Sequence, residues 1–213
     1  MIKAERLEVK LGPLHVVRGV TLEVGDGEVA ALVGPNGAGK TSTLRAIMGL
    51  YPHGGSVLLD GRDISGLKAY ERARLGIGFS PEDGGLFPSL TVKENLLLPM
   101  KSLRLPEERL EVVYGLFPMV KELLGRKAYT LSGGQRKIVS LARAILVGRR
   151  ALLLDEIFEG VSPKFADDIK KAVTDYVKGE GVSLLLAESS TQYIAGFYHR
   201  IYKIERGAVL EHQ

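Results

Sequence analysis

The chain predicts an α/β fold: a mainly parallel core sheet, an antiparallel β region at the N-terminus and an inserted helical subdomain. Three observations carry this reading. Six apolar runs, at 28–34, 56–60, 76–80, 151–155, 183–187 and 200–204, read as strands, and several are too continuously apolar to leave one face in water. Helical patterns separate most of them, as expected of parallel strands joined by crossovers. Between 89 and 148 the alternation stops, and the apolar spacing there is helical throughout.

Taken in order, "LEVKL" and "VTLEV" carry polar residues at intervals with no helix between them, so they predict a short antiparallel pair. "EVAALVG" (28–34) is the first buried strand, and "TSTLRAIMGL" follows it as a helix. In the insert, "TVKENLLL", "PEERLEVVYGLF" and "GGQRKIVSLARAIL" are helical. Ile138, Leu141, Ala142 and Ile145 recur at i, i+3, i+4 and i+7 and give the last of these one apolar face. The expected organisation is a single domain over 1–213, with residues 1–88 and 149–213 as the α/β core and 89–148 as the helical subdomain.

Composition narrows the class. At 213 residues, 45% hydrophobic and 25% charged, the chain suits one substantial core. No apolar run approaches the ~20 residues that span a bilayer, and "MIKAERLEVK" has no signal-peptide core. The expected location is therefore cytoplasmic, with any membrane role reached through a partner. There is no cysteine, which excludes disulfides and thiolate metal sites. The net charge of +4 comes from scattered Lys and Arg, so no nucleic-acid partner is expected. Amides are limited to Asn36, Asn95, Gln135, Gln192 and Gln213, a depletion expected of a protein from a hot environment. The histidines at 15, 53, 199 and 212 form no ligand spacing.

The chemistry concentrates in three short stretches. "GPNGAGKT" (34–41) lies between a strand and a helix. Gly34, Gly37 and Gly39 let the backbone turn tightly and aim N–H groups at phosphate oxygens, while the helix offers its positive end. Lys40 can reach the β- and γ-phosphates, and Thr41 can place a hydroxyl on Mg²⁺. "ALLLDE" (151–156) drives an apolar strand into two adjacent carboxylates. Either the strand surfaces there and its acids are solvated, or a cation and a triphosphate at the sheet edge give them work. On the second reading Asp155 orders Mg²⁺ and Glu156 is the general base toward the attacking water. "LSGGQ" (131–135) opens the amphipathic helix with a serine and two glycines, a second anion-binding helix end. One nucleotide is not expected to use both helix ends within one monomer.

With these motifs in this order, the sequence resembles the ATP-binding cassette (ABC) ATPases over essentially residues 2–211. The resemblance implies the P-loop NTPase fold of that family and a MgATP site. Gly34, Pro35, Asn36, Gly37, Ala38, Gly39, Lys40, Thr41 and Ser42 match its Walker A motif, and Asp155 and Glu156 match Walker B and the catalytic glutamate. It further implies a head-to-tail dimer with a second ABC ATPase subunit. In that dimer Ser132, Gly133, Gly134 and Gln135 contact ATP held by the partner, beneath transmembrane permease subunits. "SPEDGGLFPSLTVKENL" (80–96), "YGLFPMVKELLGRKAYTLSGG" (114–134) and "DEIFEGVSP" (155–163) look like the subgroup serving branched-chain amino acid importers.

Several positions depart from the family pattern. Glu82 stands where most members have a metal-touching glutamine, Ser189 aligns with the switch histidine, and Leu11 ahead of Gly12 replaces the aromatic residue that stacks on adenine. Ile157 replaces a proline, and Ser162 an aspartate. Serine donates a hydrogen bond to the γ-phosphate but carries no positive charge, so slow turnover is expected. Two alternatives stay open: a catalytically weak partner in an asymmetric dimer, and a soluble ABC ATPase outside transport. The stretch "LFPSLTVKENL" is expected either to receive a permease helix or to pack within the insert.

Overall fold

The computed structural model describes residues 1–212, with side chains described through Leu210. In chain order the elements are β1 (Ile2–Leu11), β2 (Leu14–Val24), β3 (Val29–Val33), α1 (Lys40–Ile47), β4 (Gly54–Leu59), β5 (Arg62–Asp63), α2 (Ala69–Arg74) and β6 (Ile77–Ser80). The insert follows as α3 (Val92–Leu103), α4 (Arg109–Leu116), α5 (Met119–Leu123) and α6 (Gly133–Val147), and the chain ends with β7 (Ala151–Asp155), α7 (Pro163–Glu180), β8 (Ser183–Glu188), β9 (Arg200–Glu205) and β10 (Ala208–His212).

The core sheet has the order β10-β9-β3-β8-β7-β6, parallel from β9 to β6. Its central strands explain their own composition. Val29, Ala31, Val33, Leu152, Leu154, Leu184 and Leu186 enter one apolar cluster. Their neighbours Ala30, Leu32, Ala151, Leu153, Leu185 and Ala187 enter the other. Alternate side chains point to opposite faces, and because both faces are covered the strands read as unbroken apolar runs. The first cluster also contains Leu96, Val113, Val120 and Ile145, so the helical insert shares its core with one face of the sheet. Ile138, Leu141, Ala142 and Ile145 are all buried, as their spacing predicts.

One strand belongs elsewhere. The run at 56–60, expected in the parallel core, forms β4 and pairs antiparallel with β1 in a second sheet of order β2-β1-β4-β5. The reason is the two-residue turn at Asp60-Gly61, both in the left-handed region with φ 51° and 77°, which folds β4 back on β5 with Leu59 opposite Arg62. Asp-Gly between strands is a strong hairpin signal. Likewise Arg206-Gly207 adds β10 as an antiparallel edge beyond β9. The His212 side chain lies outside the described residues.

Candidate nucleotide site

Strands β3, β8 and β7 run in parallel, so their C-terminal ends share one edge, the edge where open α/β sheets hold ligands. Residues 34–41 leave β3 there and close into α1. Two glycines are forced by the packing. A Cβ on Gly34 would lie 2.1 Å from the Ile204 carbonyl oxygen, and Gly39 combines φ 107° with a Cβ position 2.7 Å from the Val16 carbonyl oxygen.

The resulting cavity, about 380 Å³, is lined by Val16, Asn36, Gly37, Gly39, Lys40, Thr41, Ser42, Glu82 and Glu156. Lys40 is only 4% exposed. Its Nζ donates to the carbonyls of Gly34 at 2.8 Å and Pro35 at 3.2 Å, and it forms an ion pair with Glu156 Oε1 at 3.1 Å. Both partners are buried, so each charge depends on the other. The lysine is held in the cavity wall by two carbonyls and one carboxylate.

Around this pair stand more carboxylates than one lysine balances. Thr41 Oγ1 donates to Asp155 Oδ1 at 3.2 Å, while Asp155 Oδ2 is buried without a partner. Burial pushes the Asp155 carboxyl up to about 6, opposed by the Thr41 hydrogen bond. Carboxylate oxygens of Glu82, Glu156 and Glu159 lie within 4.8 Å of one another, and the hydrogen bond to Glu156 raises the Glu159 carboxyl. Glu188, at the end of β8, is fully buried. One of its oxygens accepts from the Phe158 N–H at 3.1 Å, and burial pushes its carboxyl up to about 7. The Thr41 hydroxyl, the Asp155 carboxylate with its unpartnered Oδ2, and Glu82 on the cavity wall offer an all-oxygen donor set that fits a hard divalent cation.

The structure thus brings together Asn36, Gly37, Gly39, Lys40, Thr41, Ser42, Glu82 and Glu156, with Asp155 joined through Thr41, while Gly34, Pro35 and Ala38 do not line the cavity and the first two instead hold Lys40 through their carbonyls. It keeps other expected residues off the cavity wall. Leu11 ends β1 and is 38% exposed, and the apolar wall is Val16 from β2 instead. Ser189 is half-buried just after β8 and does not line the cavity. Ser132–Gln135 also lie off it. There Ser132 Oγ accepts from the Gln135 N–H at 3.3 Å, and Gln135 Oε1 accepts from the Ser132 N–H at 3.0 Å, a reciprocal cap on α6. Sequence reasoning missed Val16, Glu159 and Lys137, whose Nζ donates to the Glu156 carbonyl at 2.8 Å. Glu159 sits inside the quoted "DEIFEGVSP", but nothing local marks Val16 or Lys137.

Comparison with known proteins agrees with this geometry. The family model described as "ABC transporter" matches residues 17–159. The lipopolysaccharide export system ATP-binding protein LptB of Acidithiobacillus ferridurans is 37% identical, over 92% of this chain and 82% of its own length. A probable branched-chain amino acid transport ATP-binding protein, LivF of Archaeoglobus fulgidus, is 32% identical over 98% of this chain and 90% of its own. Among solved structures, the ADP conformation of MJ1267, an ATP-binding cassette of an ABC transporter, superposes with a TM-score of 0.84 at 28% identity, covering 100% of this chain and 90% of that one. A match that includes the phosphate loop and both terminal carboxylates, with relatives above 30% identity along nearly the whole length, leaves one assignment: the chain belongs to the ABC transporter family, as an ATP-binding subunit and ABC-type ATPase.

Proposed function

We propose that the cavity takes the triphosphate of MgATP, that two such subunits close head to tail around it, and that hydrolysis drives solute movement through permease subunits on the cytoplasmic face of a membrane. The observation that supports this most is the buried Lys40–Glu156 pair in the wall of a polar cavity. Glu156 pairs with Lys40. When phosphates take the lysine, the carboxylate is released toward the γ-phosphate end to accept a proton from water at Oε1. Thr41, Asp155 and Glu82 would hold Mg²⁺, which when bound neutralises charge on the β- and γ-phosphates. Ser189 would donate a hydrogen bond from the β8 end, and Leu11 with Val16 would give the base an apolar contact.

Ser132, Gly133, Gly134 and Gln135 would meet ATP on the second subunit, since they lie off their own chain's cavity. For permease docking, an apolar groove of about 390 Å³ lined by Leu50, Tyr70, Phe79, Phe87 and Leu98 fits an amphipathic coupling helix. Leu50, Tyr70 and Phe87 are each at least half exposed. Phe87→Asp is therefore expected to uncouple transport in reconstituted vesicles while ATP binding persists, and loss of folding would favour simple packing.

For the cargo, the amino acid importer reading rests on the stretches at 80–96, 114–134 and 155–163 and on the LivF relative. The LptB relatives, up to 37% identical, argue for export instead and leave importer specificity without support from the more similar proteins. The function is tested by ATPase assay of wild type against Glu156→Gln, alone and mixed with a candidate partner subunit. A loss of at least about 10²-fold with ATP binding retained is expected. Equal rates would remove Glu156 from its role, and a wild type that turns over only beside a partner would favour the asymmetric dimer.

A further inference from the structure

We propose that Lys137 is a positioning residue for the reaction: from α6 it clamps the loop that carries Glu156 and so sets where the general base points. The proposal deepens the reading of Glu156 as base and rests on it.

Glu156 is not held by regular structure. It follows the last residue of β7 and has φ 48°, a left-handed backbone that is unfavourable for a non-glycine residue. Such a conformation persists only where the surroundings over-determine it. On the β8 side the loop is fixed by two bonds, Glu156 N–H to the Ala187 carbonyl at 2.9 Å and Phe158 N–H to Glu188 Oε1 at 3.1 Å. On the α6 side the Lys137 ammonium donates to the Glu156 carbonyl at 2.8 Å and to the Glu159 carbonyl. These two bonds join the start of the loop to its end, and both reach main chain, so Lys137 fixes backbone shape.

The ammonium is half-buried, and desolvation lowers its pKa against the pull of Glu188, Glu159, Glu156 and Glu82. A cation in that position is tolerated because the two carbonyls and the surrounding acids offset its burial. Removing it frees the α6 side of the loop, and a displacement of about 1 Å at a catalytic group costs on the order of 10²-fold in rate.

The test uses the full chain in steady-state ATPase assays with Mg²⁺, together with binding of a fluorescent ATP analogue. Lys137→Met is expected to lower kcat at least tenfold with KM, analogue affinity and melting temperature nearly unchanged, because Lys137 is off the cavity wall. Lys137→Arg, which can still reach both carbonyls, should recover most of the rate. In a Glu156→Gln background the methionine substitution should add nothing. Unchanged kcat in Lys137→Met, an equal loss in Lys137→Arg, or a full further loss beside Glu156→Gln would each overturn the proposal. Hydrogen exchange at amides 156–160 tests the clamp without turnover: faster exchange in Lys137→Met alone is expected, and wild-type exchange would refute it. A wild type that hydrolyses no ATP yet shows the exchange difference would defeat the proposed function and leave the clamp standing.

Discussion

The chain opens two helices with glycine-bearing loops, and the two ends are built differently. At α1 the loop borders a cavity, and a buried lysine lines it in a pair with Glu156. At α6, Ser132 and Gln135 satisfy each other across the first turn, and no cavity of the nucleotide site reaches them. Both ends carry the positive pole of a helix. The first gathers Lys40, Thr41, Ser42, Glu82 and Glu156 around one cavity, whereas Gly133 at the second borders a smaller cleft with Glu82, Asp83, Arg136 and Lys137. The difference teaches that anion-binding geometry alone does not make a complete site: on the proposed reading, the α6 end would meet a ligand carried by another chain. Lys137 ties the two regions together, since it lies on α6 and holds the loop of Glu156.

The largest expected effect separates the two ends directly. Lys40→Met should abolish both turnover and nucleotide affinity in the isolated chain, because on the proposed reading it removes the buried cation that pairs with the phosphates. Ser132→Arg should abolish turnover as fully while leaving affinity of the isolated monomer near wild type. Isothermal titration with an ATP analogue reads the split, and equal losses of affinity would erase the distinction between the two helix ends.

A smaller effect concerns stability at the α1 end. Burial raises the folded-state pKa of Asp155 from 3.8 to about 6, so between those values the folded chain keeps a proton that the unfolded chain has released. The resulting stabilisation is fully present below about pH 4 and is lost as pH rises through about 6. At pH 7.5 the charged carboxylate therefore burdens the nucleotide-free fold by on the order of 2–3 kcal/mol. Asp155→Asn should raise the nucleotide-free melting temperature by several degrees at pH 7.5 and by little near pH 4. Calorimetry at the two pH values checks this, and a lower melting temperature at pH 7.5 would contradict it.

How much of this was legible depended on how locally each feature is encoded. Residues 34–41, the terminal pair Asp155–Glu156 and the cap of "LSGGQ" are set by contiguous residues whose chemistry explains their order, and the structure places all three at helix or strand ends. The buried strands were legible because burial on both faces leaves no alternation. The run 56–60 has the apolar content of a core strand, but the Asp60-Gly61 turn folds it back on β5 in the antiparallel sheet. Val16 reaches the cavity only because β2 folds over the phosphate loop. Lys137 meets Glu156 across 19 positions of sequence. No spacing rule encodes either approach. Leu11 and Ser189 were placed by alignment, which carries no information about which way a side chain faces when the residue type has changed.

The central claim is that ATP is held between residues 34–41 of one subunit and 132–135 of another. It is tested most directly by mixing two inactive variants, Lys40→Met and Ser132→Arg, under conditions where the wild type hydrolyses ATP. A mixed dimer rebuilds one intact site from the unaltered halves, so activity should return to as much as about half that of wild-type sites in the mixed species. If the mixture stays as inactive as its components while mixed dimers demonstrably form, the nucleotide is not shared between subunits and the account is wrong.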